Sequence, residues 1–364
     1  MRKTIILICA LLFLMGMSSA SAQGRLYVFD SGHPPDELAE TADAVASGEN
    51  TIAMTFAGDC TFGGETAIQS SRHSFRSIVE ENGTAYPFAN VQSLFANDDL
   101  TVVNLEGVLS ASTEDKVKKK YNYIGDPSYA DVLTDGSVEC VNLANNHIMD
   151  YSERGYRDTV AALDSAGIAY VYEDTLCIFE KDGVRIGLTA SLWQADEEKL
   201  REQIQLLYSL GCSAIVHTMH AGEEYERIHM DSQERIAKAA VNAGASLVVG
   251  HHPHVVQDID VIDGVPIIYS LGNCCFGGNT NPKDYHALLL GASFHFADGG
   301  LKELSWTLHP ITQSTQRGRN DFQPTLLTGT EAELVIEEIQ STSSAEILPY
   351  QEGLGAKQKS IQWD

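Results

Sequence analysis

Past its first two dozen residues, the chain has no apolar run long enough to cross a bilayer, which takes ~20 residues as a helix. It also has little positive charge. Against 50 Asp and Glu stand 24 Lys and Arg, a formal net charge of −26. Such a field repels nucleic acid and anionic membrane surfaces, so nucleic acid is excluded as a partner. It repels polyanions too, although salt screens this beyond about 8–10 Å. There is no Cys-x-x-Cys pair to suggest a zinc or redox site. No Gly-x-Ser-x-Gly elbow presents a nucleophilic serine, and no P-loop cradles a nucleotide phosphate. Repeats, coiled-coil heptads and low-complexity tracts are missing as well. Cys60, Cys140, Cys177, Cys212, Cys274 and Cys275 do not have disulfide-scaffold spacing; most read as buried small hydrophobes, and pairing in an oxidising compartment is the alternative, which the sequence does not assign.

The N-terminus reads as an export signal. Arg2 and Lys3 precede an apolar stretch from Thr4 to Met17, and Ala20-Ser21-Ala22 fits a small-residue cleavage site. An uncleaved anchor is the alternative, weakened by the shortness of the run. The predicted organisation is a signal over residues 1–22 and a polar linker over 23–50. One α/β domain then spans 51–312, and a polar tail with one short helix near Glu331–Ile339 covers 313–364. The protein is expected outside the cytoplasmic membrane, secreted or surface-associated.

Within the domain, short apolar runs alternate with segments of helical spacing. Thr51–Ala57, Leu100–Asn104, Val138–Leu143, Ser213–Thr218 and Ser246–Val249 read as strands, and Gly155–Ala166, Glu197–Leu210 and Ser232–Ala243 as helices. Lys181-Asp182-Gly183 and Asp263-Gly264 predict hairpins. This is an α/β plan with mixed sheets, in which sites lie beyond the C-terminal ends of strands.

Five strand ends carry unusual polar residues: Gly58-Asp59, Asn104-Leu105-Glu106-Gly107, Asn145-Asn146-His147, His217 through His220 to Glu224, and Gly250-His251-His252-Pro253-His254. Singly, each fits a turn or a structural histidine. Together, that many buried carboxylates, amides and imidazoles would be costly without a cation. Mixed oxygen and imidazole donors suit Mn, Zn or Fe, and there are enough for one or two divalent ions. Such a site activates water for hydrolysis. A basic strip, Lys116 to Lys120, is either a solvated loop or a docking strip for an anionic substrate through Lys118, Lys119 and Lys120.

These motifs, with Asp150-Tyr151, His220-x-Gly-x-Glu224-Tyr225, His254-Val255-x-Gln257 and Tyr269-Ser270-Leu271-Gly272-Asn273, resemble the bacterial CapA family from about Thr51 to Pro310. That family is associated with poly-γ-glutamate capsule synthesis and belongs to the calcineurin-like metallophosphoesterase superfamily. The resemblance implies a four-layer α/β/β/α sandwich. It implies Asp59 and His254 as ligands of a first metal, Asn146, His220 and His252 as ligands of a second, and Glu106 where the superfamily has a bridging Asp. His147 would be the proton donor or phosphate contact, and His251 would stand outside the ligands. One departure bears on the chemistry: the superfamily's Asp-x-His is here Asp59-Cys60-Thr61, without the histidine. Three functions follow. The first is a hydrolase-type protein making, exporting or processing poly-γ-glutamate or a similar surface polymer, with a membrane synthase complex as partner. The second is a secreted phosphoesterase with a phosphoester substrate, and the third a non-catalytic component of a surface complex.

Overall fold

The computed structural model describes residues 24–42 and 48–363. The expected signal over 1–22 lies outside them. No helix among the described residues is long and apolar enough to cross a membrane.

Two mixed sheets stack face to face. The first has seven strands, in the spatial order Arg25–Asp30, Thr175–Lys181, Val184–Leu192, Cys212–His220, Leu247–His251, Val265–Ile268 and Ile259–Ile262. The second is built around Glu49–Thr61. On one side it pairs in parallel with Leu100–Leu105, which leads on to Cys140–Asn142 and Ala169–Val171. On the other it pairs antiparallel with His286–Ala297, which leads to Gly300–Thr312.

Alternation of side chains assigns the layers. Met54, Phe56 and Val102 of one sheet meet Ile186, Leu188, Val216 and Val249 of the other in the central core. On the outer face of the second sheet, Val103 and Val141 pack against Phe75, Val132 and Leu163 from the helices Phe75–Asn82, Ala130–Asp135 and Ser152–Ala166. On the outer face of the first, Ile215, Met219 and Val248 pack against Leu200, Ile204, Ile236 and Ala240 from Glu197–Ser209 and Asp231–Ala243. Each such side chain, fully buried, contributes roughly 1.5–3 kcal/mol. The result is the α/β/β/α order that the sequence led us to expect. Both expected hairpins form, with Asp182-Gly183 and Asp263-Gly264 at positive φ, as a tight two-residue turn requires.

Two segments differ from expectation. Residues 23–50 are not simply a linker. Arg25–Asp30 forms an edge strand antiparallel to Thr175–Lys181, and Leu38 of the short helix Asp36–Glu40 is buried in the outer core. The acidic flanks hid a strand whose Tyr27 and Phe29 supply apolar surface. Nor are residues 313–364 simply a tail. The expected helix is there, longer than foreseen at Gly329–Thr342 and burying Val335, Ile336 and Ile339, while the unforeseen strands Ala356–Lys357 and Ile361–Gln362 pair with Gly300–Thr312. An edge needs only two or three apolar residues to be covered, too few to read as a periodic pattern.

Candidate metal centre

The five polar strand ends converge at the C-terminal ends of the central strands of both sheets. Asp59 arrives by way of an irregularity. In the pairing of Glu49–Thr61 with Leu100–Leu105, the register shifts between Ala57 and Asp59, so Gly58 is bulged. Ala57 and Cys60 consequently face the same outer core, although they are three residues apart. The bulge turns Asp59 toward the central layer, a common use of bulges beside active sites. Glycine is required at 58 because a Cβ there would lie 1.9 Å from the Gly272 carbonyl oxygen. Cys60 therefore points away from the centre.

The donor atoms fall into two groups. In one, His220 Nε2 lies 3.0 Å from Asn146 Oδ1 and 3.1 Å from His252 Nδ1. In the other, His254 Nδ1 lies 3.1 Å from Asp59 Oδ2 and 3.0 Å from Asn273 Oδ1. Donors about 2.1 Å from a common ion stand about 3.0–3.5 Å from one another, and both groups match that spacing. Glu106 links them: a carboxylate oxygen of Asp59, one of Glu106 and a ring nitrogen of His220 all lie within 4.8 Å of one another. Both Glu106 oxygens are buried without a hydrogen-bond partner among the described residues. An orphaned buried carboxylate among imidazoles is a costly arrangement that a cation resolves, so the donor set fits a divalent metal.

The electrostatics agree. Burial, opposed by His254 and reinforced by the Asp59 charge, pushes the Glu106 carboxyl well above its usual range. Burial also raises Asp59, but its hydrogen bond to His254 and the nearby His254 and His251 charges outweigh this and hold it low. Burial drives His220 well down and His251 and His252 to about 4, so these imidazoles are neutral and their lone pairs free to coordinate. His254 is pushed up to about 9 because, against burial, Glu106 and Asp59 surround it.

The loop carrying these imidazoles is strained. His252 (φ 103°), His254 (φ 59°) and the neighbouring Tyr225 (φ 67°) all occupy the left-handed region. Non-glycine residues hold such conformations at a cost of order 1–3 kcal/mol, and they cluster at functional sites.

His147 sits at the edge of the centre, its Nε2 3.6 Å from Glu106 Oε1. Its Nδ1 lies 2.6 Å from Asp150 Oδ2, and its ring stacks on Tyr123 with centroids 4.1 Å apart. Asp150 is fully buried and also accepts the Tyr123 backbone N–H at 2.6 Å. Burial lowers the His147 pKa against the opposing pull of Asp150.

The structure thus gathers Asp59, Glu106, Asn146, His220, His252 and His254 at one point, with His147 beside them. The lysines of the basic strip part company. Lys119 reaches inward, 2.6 Å from Asp150 Oδ1 and donating to the Asn146 carbonyl at 2.7 Å. Lys118 stays exposed, and Lys120 lies over the Tyr121 ring. Three participants escaped the expected site list. Asn104 donates to Asp59 Oδ1 at 2.7 Å and lies 3.3 Å from His220 Nδ1, tying the two groups together. Asn273 lies opposite Asp59 in strand register. Asp150 orients His147. Their signal was an amide or carboxylate closing an apolar run, visible in Leu100–Asn104 and Tyr269–Asn273.

An α/β/β/α sandwich whose strand ends deliver this donor set is a metallophosphoesterase-type fold with a calcineurin-like metal-binding motif. Comparison with known proteins narrows the class. The chain belongs to the bacterial capsule synthesis protein family PGA_cap, whose family model matches residues 53–278. It is 31% identical over 280 residues to the capsule biosynthesis protein CapA of Bacillus anthracis, covering 68% of this chain and 65% of that protein. To the PGA biosynthesis protein CapA of Bacillus subtilis (strain 168) it is 28% identical over 272 residues, covering 68% and 69%. A probable polyglutamine synthesis accessory protein of Mycobacterium tuberculosis is 26% identical over 224 residues, 52% of this chain and 59% of that one. The match thus spans less than two thirds of the length of the Bacillus anthracis relative.

Proposed function

We propose that this is an exported protein that makes, exports or processes poly-γ-glutamate or a similar anionic surface polymer, using the metal centre as a hydrolase-type site. The observation carrying the hydrolytic part is Glu106, whose two buried oxygens, without a hydrogen-bond partner among the described residues, link two sets of donors spaced as ligands. Family membership and the relatives' names support the polymer. The basic start, apolar run and small-residue site of residues 1–22, read as an export signal, support the location.

A divalent ion held here supplies Lewis acidity and an acidified water. Asp59, His254 and Asn273 would hold one ion, His220, His252 and Asn146 a second, with Glu106 shared. With its Nδ1–H turned to Asp150, His147 presents the Nε2 lone pair to the centre, where it would take a proton from an attacking water and hand it on to a leaving group. Asp150 accepts from Nδ1 and so fixes that tautomer, and Tyr123 fixes the ring plane. Lys119 balances the Asp150 charge and holds the Asn146 carbonyl, setting the loop that carries both Asn146 and His147.

Asp59→Ala and His254→Ala are expected to lose bound Mn, Zn or Fe together by elemental analysis. His147→Ala is expected to keep the metal but lose the shortening of poly-γ-glutamate chains seen by gel filtration. Full metal in both ligand variants would overturn the site, and no change of chain length with loaded wild type would overturn the polymer reading.

A further inference from the structure

The rim of the centre carries features that neither metal nor proton chemistry uses. Tyr225 holds its strained backbone by donating its N–H to the Pro253 carbonyl at 2.8 Å, inside the metal-binding loop. Its ring, 36% exposed, stands 6.3 Å from the His254 ring. Lys283 rests over the ring, with Nζ 4.2 Å from its centroid. Lys120 lies in the same way over Tyr121, at 4.6 Å. A third cation–aromatic contact, Arg317 on Tyr285, differs because Arg317 also pairs with Glu331. Among the described residues, neither Lys120 nor Lys283 has a carboxylate within ion-pair distance, in a chain with twice as many acids as bases. The ring faces hold the ammonium groups in place without neutralising them. Each retains N–H donors for an incoming anion.

We infer that the Lys283–Tyr225 and Lys120–Tyr121 pairs are carboxylate-reading subsites, which seat an extended polymer bearing carboxylates at intervals across the metal centre. This rests on the polymer reading above and adds what distinguishes such a chain from a compact phosphoester. A small tetrahedral anion would be satisfied at the metal centre alone, whereas a chain that continues beyond the centre would have carboxylates left to meet these lysines. Within the basic strip, Lys119 is committed to Asp150, and Lys120, held on the Tyr121 ring, is the lysine assigned here to the polymer. Glu224, whose charge reaches Lys120, moderates the attraction.

The test uses the full chain loaded with Mn and two probes, poly-γ-glutamate and inorganic phosphate, at low salt. Lys283→Glu and Lys120→Glu are each expected to weaken polymer binding about tenfold and to flatten its salt dependence. Tyr225→Ala should weaken it severalfold by releasing Lys283, and Glu224→Gln should strengthen it. Phosphate affinity and metal content should stay within about twofold of wild type in the lysine variants. Polymer binding unchanged in both lysine variants, or lost in parallel with phosphate binding, overturns the subsites alone. A loaded wild type that binds phosphate but no polymer overturns the subsites and the polymer reading together.

Discussion

Replacing Glu106 with Gln should produce a protein that is more stable than wild type without metal and less stable with it. In the metal-free chain the Glu106 carboxylate has no hydrogen-bond partner among the described residues and lies close to Asp59, and burial pushes its pKa far up. Leaving such a group unsatisfied costs about 1–3 kcal/mol, more when it is charged. Gln has the same shape, carries no charge and offers an N–H to Asp59, so Glu106→Gln should recover that amount in chelator. At about 2 °C per kcal/mol for a chain of this size, its melting temperature should rise by about 2–6 °C. Metal reverses the order. An ion present at a thousand times its dissociation constant stabilises the native state by about 4.1 kcal/mol, more than the recovered cost. Wild type should gain about 8 °C on loading, and the variant much less. Scanning calorimetry of both proteins, in EDTA and in Mn or Zn, checks this. The reasoning is refuted if Glu106→Gln melts below wild type in EDTA, or if the two gain equally from metal.

Gly58→Ala should cost more than about 2 kcal/mol by urea titration and abolish metal binding, because its methyl would meet the Gly272 backbone rather than a side chain able to move. Unaltered metal content would show that the bulge does not aim Asp59. Glu139, whose Oε2 accepts the Thr101 N–H at 2.9 Å, is pushed by burial to about 7. Its folded pKa exceeds its unfolded one, so the native state holds the proton more tightly. Stability is therefore lost as pH rises from about 4.5 through about 7. With allowance for its partial exposure, Glu139→Gln should be about 1–2 kcal/mol more stable than wild type at pH 8 and equal to it near pH 4.

The buried strands were legible because alternation and length mark them. Cys212–His220 and Leu247–His251 run from apolar residues straight into their ligands. Strand period also separates His220 from His217. Three residues apart, they face opposite sides of the sheet, and His217 lies between the Thr189 and Ser191 hydroxyls at 2.8 and 3.0 Å, driven by burial to about 3. What the sequence concealed depends on register. The bulge at Gly58 that aims Asp59 looks like an ordinary turn, and Asn273 acquires its place only from the parallel pairing of its strand with Asp59. The inward turn of Lys119 was hidden for a different reason, since nothing in a run of lysines marks which one meets a buried carboxylate. Phe75–Asn82 was missed because its apolar face is only two or three residues.

The edge strand Arg25–Asp30 also has a consequence for the order of assembly. Its partner, Thr175–Lys181, lies about 150 residues downstream, so this strand stays unpaired while Glu49–Thr61, Leu100–Leu105 and Cys140–Asn142 of the other sheet are made. Meanwhile its backbone donors and acceptors are open to other chains, and the hairpin that awaits it presents a bare edge. A chain that begins at Gly48 would keep every metal-binding side chain yet leave that edge uncovered for good. Its failure would show as self-association rather than as a lost centre.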